Sequence, residues 1–152
     1  MMAVNRIQLA HRRLLPSACV YSLGRAKEVA LPSQRNMIID VVASEGPTLL
    51  LQAHGRINIL TADLFESEVR RALAGKDRDV IIDASEITYL SSAGLRAFLR
   101  LWQDLQKKDR SIHLCSLKPY IREVFELIGF DQIIPIEKDV PAALAALKSR
   151  SR

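Results

Sequence analysis

The chain has 152 residues, 49% of them hydrophobic and 26% charged, a composition suited to about one ordinary globular domain. That excludes wholesale disorder, collagen-like and coiled-coil rods, and no apolar run approaches the ~20 residues that cross a bilayer. The formal charge of +5 is local: of 22 basic and 17 acidic residues, positions 1–36 hold six and one, and the remainder balances.

Residues 1–36 (Arg6, Arg12, Arg13, Arg25, Lys27 and Arg35 against Glu28) read as a basic N-terminal extension. The extension is either a flexible arm or a mis-assigned start with Met37 as the true first residue. A targeting peptide is the third reading, though the continuous apolar core of a secretory signal is missing. Residues 37–149 read as the domain proper. Met37 to Val42 and Thr48 to Ala53 are strand-like runs joined by the turn cluster Ser44-Glu45-Gly46-Pro47. After Gly55-Arg56-Ile57-Asn58, Thr61 is placed to cap a helix carrying Leu64, Phe65, Val69, Ala72 and Leu73 and ended by Gly75. Asp79 to Asp83 is a continuous apolar strand of the kind covered on both faces, followed by an expected loop from Ala84 to Leu90.

The next helix opens at Ser91 or Ser92, and its Leu95, Phe98, Leu99, Trp102 and Leu105 form a helical stripe. Ser111 to Leu117 reads as a strand, and Pro119 suits the first turn of a helix that stops at Gly129. Gln132 to Ile136 reads as a short strand before a final helix from Asp139 to Lys148. The order ββαβαβαβα predicts an α/β fold: a mixed, mostly parallel five-stranded sheet, about four helices and the first strand at an edge.

Catalytic signatures are lacking. There is no Walker lysine motif and no GxGxxG. The histidines His11, His54 and His113 are scattered, and no Cys or His pair has zinc-site spacing, so no metal or cofactor is expected. His113 and Cys115 share one face of a strand, an arrangement better explained by packing than by a nucleophile and its base. Asp83 and Glu86 have nothing to fix them across a cleft and read as strand-end and loop polarity. The balanced domain and a 5% aromatic content argue against direct nucleic-acid binding. Two cysteines, Cys19 and Cys115, are too few for a disulfide scaffold and fit a reducing cytoplasm.

One constellation stands out: Tyr89-Leu90-Ser91-Ser92-Ala93-Gly94-Leu95, with two hydroxyls where a strand gives way to a helix. One serine suffices for the N-cap, which leaves the other for different work. A phosphoryl group there meets exposed N–H donors and the positive helix end, and adds a charge of about −1.5 to −2 to the surface. Arg96 and Arg100, one turn apart, face either an acidic partner or solvent.

The segments Val80-Ile81-Ile82-Asp83-Ala84-Ser85, Tyr89 to Leu95 and Leu114-Cys115-Ser116-Leu117-Lys118-Pro119 together resemble a STAS domain of the anti-sigma factor antagonist family. The hairpin opening, Gly55 before the first helix and Gly129-Phe130 before the last strand match as well, and the resemblance spans Met37 to Leu147. It implies a non-catalytic partner switch. The unphosphorylated antagonist binds an anti-sigma factor that is also a serine kinase, of the GHKL type, and so frees a sigma factor. Phosphorylation at the start of the second helix breaks the complex, and a phosphatase resets it. Aligned on Gly94-Leu95, the acceptor falls on Ser92. Ser91 stands where the family often has Asp, which makes it the alternative acceptor, and Ala93 replaces a frequent Ser or Thr. The partner-binding residues implied are Asp83, Ser91, Gly94, Leu95 and Arg96. The competing reading is a STAS scaffold subunit of a lipid ABC transporter or sensory complex, in which the serines only cap the helix.

Overall fold

The computed structural model describes residues 37–43 and 46–150; the extension 1–36, with His11 and Cys19, and the turn residues Ser44 and Glu45 lie outside them. Five strands, β1 (Met37–Ala43), β2 (Thr48–Ile57), β3 (Asp79–Leu90), β4 (Ile112–Cys115) and β5 (Ile136–Glu137), lie side by side in chain order. β1 is antiparallel to β2 and every later neighbour is parallel, so β1 is an edge strand as the sequence predicts. Among the described residues the helices are α1 (Ala62–Leu73), α2 (Ser92–Gln106), α3 (Pro119–Leu127) and α4 (Val140–Arg150), with a 3-10 turn at Phe130–Gln132.

Laying parallel strands down in one direction with right-handed crossovers sends successive helices to the same face of a sheet. The burial pattern fits that rule. Val80, Ile82 and Ala84 of β3 point into the core shared with α1, α2 and α3, together with Ile112 and Leu114 of β4. The intervening residues Ile81 and Cys115 point the other way and pack against Ala143 and Leu147 of α4. A strand buried on both faces has no polar alternation, which is why Val80-Ile81-Ile82 is an unbroken apolar run. On the three-helix face, Phe65, Phe98, Phe125 and Phe130 form a chain of tilted and edge-to-face rings with centroids 4.7, 5.8 and 6.1 Å apart. Each such contact adds about 0.5–1.5 kcal/mol to the burial of the rings.

Four expectations are corrected. Ala84 to Leu90 is not a loop: β3 continues to Leu90, paired with His54 to Ile57 of β2. Register shifts between Gln52 and His54 and between Gly55 and Arg56 insert two extra residues into β3, and these bulges scramble the period-two pattern that marks a strand. Gln132 to Ile136 is not a strand: the 3-10 turn occupies its start, Ile134 is buried, and only Ile136–Glu137 pairs with β4. Thr61 occupies the N-cap position of α1 but makes no side-chain cap bond. Its Oγ1 instead donates to the Arg56 carbonyl at 2.7 Å and accepts from the Asn58 amide at 2.9 Å. The ends of β4 also draw in from the expected Ser111 to Leu117: its register with β3 covers Ile112–Cys115, and the left-handed backbone of Ser116 (φ 59) ends the extended run.

Candidate functional site

At the carboxyl ends of β2 and β3 the chain turns into α2, and there the two serines take different roles. Ser91 is the N-cap. Its backbone is extended (φ −92, ψ 171), its Oγ accepts from the Gly94 amide at 3.3 Å, and its carbonyl accepts from the Leu95 amide at 3.0 Å. The Ser91 amide in turn donates to the Ile57 carbonyl at 2.9 Å, which ties the helix start to the end of β2. Ser92 is the first helical residue and is exposed, and among the described residues its hydroxyl has no hydrogen-bond partner. The amides of Ser92 and Ala93 are the first-turn donors left over, and α2 has no acid in its first turn to balance the helix dipole.

Gly94 explains how the helix comes so close. A Cβ there would lie 2.5 Å from Leu90 Cδ1, 2.7 Å from Ile57 Cγ2 and 3.1 Å from the Ile57 carbonyl oxygen. Only a residue without a side chain lets α2 begin directly against the ends of β2 and β3. Leu95 is buried beside it, which fixes the rotation of the helix and turns Ser92 and Arg96 outward.

The loop next to Ser91 carries a feature that sequence reasoning missed. Asn58 Oδ1 accepts from the amides of Leu60 (2.8 Å) and Thr61 (3.1 Å), a tight turn that holds Ile59 and Leu60 out in solvent, 77% and 70% exposed. Two adjacent aliphatic side chains so displayed form an apolar knob at the same end of the sheet as Ser92. Tyr89 and Tyr120 are also exposed at this end. Arg56 lies over the Tyr89 ring, 4.5 Å from its centroid, and the Tyr120 hydroxyl donates to the Thr88 carbonyl at 2.9 Å. The signal that could have revealed the knob was Asn58, a residue that closes such turns, followed by two aliphatics with no helical stripe to join.

The remaining sequence candidates separate. Arg100 is not simply solvated: it donates through Nε to Glu66 of α1 at 2.6 Å and approaches Asp63 at 3.5 Å. Glu66 also takes Arg70 at 2.6 Å, and Arg70 reaches Asp104 at 2.5 Å, so the network bridges α1 and α2. Partial burial pushes the Glu66 carboxyl upward, but the bonds from Arg70 and Arg100 together outweigh it and hold it below the ordinary value. Arg96 is exposed and, among the described residues, has no acidic partner. Asp83 is not brought to the serines. It pairs in register with Gln52, about 16 Å of strand from the Ile57–Leu90 pair at ~3.3 Å per residue, and its carboxylate accepts from the Ser85 amide. Glu86 is exposed, and no bond joins it to Asp83.

His113 and Cys115 are both buried under α4, as the packing explanation requires. Burial pushes the Cys115 thiol up to about 11, far from a thiolate nucleophile, and burial lowers His113 below its ordinary value. His54 Nε2 lies 3.1 Å from Asp40 on β1, away from His113. Among the described residues no cluster of His, Cys, Asp and Glu is arranged to hold a metal ion, and no helix is long and apolar enough to cross a membrane.

Comparison with known proteins agrees with this fold. A family model described as the STAS domain matches residues 39–143. A Bordetella bronchiseptica protein named "Putative anti-sigma factor antagonist BtrV" is 37% identical over 101 residues, 66% of this chain and 87% of its own length. The crystal structure of an anti-sigma factor antagonist from Mycobacterium paratuberculosis superposes with a TM-score of 0.63 at 22% identity, covering 73% of this chain and 95% of its own. The Bacillus cell fate determinant SpoIIAA in its phosphorylated form shares the fold at a TM-score of 0.54 and 15% identity, over 73% of this chain and 98% of its own. On the span of the family match and the identity to BtrV, the chain belongs to the STAS domain family.

Proposed function

We propose that this chain is a non-catalytic anti-sigma factor antagonist, worked by residues 37–149 and switched at Ser92, with 1–36 as a basic extension. In the unmodified state the end of the sheet carrying Ser92, Arg96 and the Ile59–Leu60 knob docks on an anti-sigma factor, which thereby releases its sigma factor. The observation that carries this reading is the division of labour between the serines: Ser91 is occupied as the N-cap, while Ser92 stands exposed with an unengaged hydroxyl. The similarity to BtrV and the phosphorylated state named for SpoIIAA support the same reading.

In the switching step the Ser92 Oγ attacks the γ-phosphorus of ATP bound to the partner kinase. An O–P bond forms, the bond to the β-phosphate oxygen breaks, ADP leaves, and the hydroxyl proton passes to a base of the kinase. The product adds a charge of about −1.5 to −2 at a side chain that was neutral. A phosphoryl group placed in a close contact costs binding through bulk, desolvation and repulsion of acids, an effect that reaches several kcal/mol when charge pairs are broken. Hydrolysis by a phosphatase, with water as nucleophile and inorganic phosphate as product, restores the docking form.

The test is incubation of the full chain with its cognate anti-sigma kinase and ATP, then peptide mass spectrometry. Phosphate on Ser92 is expected, and Ser92→Ala abolishes it. Phosphate confined to Ser91 moves the switch to the cap, and no phosphate on either serine supports a constitutive STAS scaffold instead.

A further inference from the structure

We propose that Arg96 is the intramolecular counter-ion of a phosphoryl group on Ser92, closing on it from one turn further along α2. The inference rests on the Ser92 reading but concerns how this chain accommodates the modification once it is present. Ser92, Arg96 and Arg100 follow one another at four-residue spacing on the exposed stripe of α2. Residues so spaced are neighbours on a helix surface, and a helical side chain leans toward the N-terminus, over the turn that precedes it. Arg96 therefore leans over the turn that Ser92 begins.

The neighbouring cations are already engaged. Arg100 is held by Glu66 and Asp63 of α1, and Arg56 lies on the Tyr89 ring. Arg96 alone of the three has no ionic or ring partner among the described residues. Its position is also fixed, because Leu95 and Ala97 on either side are buried. An acid placed four residues before a base is the favourable order for such a pair, and a guanidinium can grip a phosphate with two parallel N–H bonds. The amides left over at Ser92 and Ala93 complete the set of donors. Capture of this kind also withdraws Arg96 from the surface that the unmodified form offers.

The experiment uses the full chain with phosphoserine encoded directly at position 92, so that no kinase is needed, and follows the phosphorus resonance by NMR through a pH titration. The second ionisation of phosphoserine lies near pH 6, and an exposed pair at this spacing lowers it by roughly a few tenths of a pH unit. Arg96→Gln is expected to raise it back by that amount and Arg96→Lys to restore part of the shift. Arg100→Gln and Arg56→Gln are expected to leave it unchanged. A titration unaltered by Arg96→Gln, or a shift that follows Arg56→Gln instead, overturns the proposal. Failure of a kinase to modify Ser92 breaks the functional reading and leaves this result standing. An unaltered titration breaks only the role of Arg96.

Discussion

The first turn of α2 and the turns that follow it are built on opposite terms. From Arg100 onward the helix is tied to α1 by a continuous ionic network through Glu66, Arg70 and Asp104, over a core of phenylalanine rings. The first turn has no acid and an exposed serine with no partner among the described residues, and Ile59 and Leu60 of the neighbouring loop face solvent. Charge and apolar surface are satisfied within the chain in one region and left available in the other. A helix anchored along most of its length can present its first turn as a rigid surface, so a charge added there would change that surface without unfolding the helix.

The contrast breaks most severely at its packed side. Phe98→Ala removes the ring between Phe65 and Phe125 and is expected to cost about 3–5 kcal/mol, read as a lower midpoint in urea. If the loss were below about 1 kcal/mol, the anchoring of α2 would have to come from elsewhere. Gly94→Ala attacks the junction of the two regions. Overpacking against Leu90 and Ile57 should cost about 1–3 kcal/mol and lower the thermal midpoint, because the second contact is with a β-branched side chain that has little freedom to move.

The serine pair sharpens the contrast further. Ser91→Ala should cost about 1 kcal/mol through loss of the cap, while Ser92→Ala should stay within about 0.5 kcal/mol in the same denaturation assay. Equal losses would remove the distinction between a structural and an available hydroxyl. The smallest expected effect lies on the other face of the sheet. Burial lowers His113, with Arg150 adding to it and Glu137 and Asp79 opposing, so the folded state holds the proton less tightly than the unfolded chain does. The neutral ring's contribution is complete above the unfolded value near 6.5 and declines as pH falls through the lower folded value. His113→Leu should therefore flatten the acid limb of the stability profile below about pH 6.5 without changing Ser92 chemistry. A profile identical to the parent's would contradict the burial argument.

Much of the fold was legible because its signals are local. The continuous run Val80-Ile81-Ile82, the stripe from Leu95 to Leu105 and Pro119 each carry their own period or geometric constraint, and together they specify strand, helix and order. The extension of β3 was hidden because its two bulges destroy the alternation that marks a strand, and only pairing with β2 reveals it. The division between Ser91 and Ser92 was half legible: the sequence shows that one cap needs one hydroxyl, but not which serine fills it. The engagement of Arg100 by Glu66 joins residues 34 apart and depends on how α1 and α2 pack, which no local pattern encodes. Ile59 and Leu60 were missed for the opposite reason, since aliphatic residues are expected inside and only the Asn58 turn turns them outward.

The most direct measurement is the affinity of the cognate anti-sigma factor for the full chain in its bare form and with phosphoserine at position 92, by titration calorimetry under one set of conditions. The account predicts a loss of at least about tenfold, ~1.4 kcal/mol, in the phosphorylated form, with Ser92→Ala binding like the bare protein. Equal affinities for the two forms would contradict it.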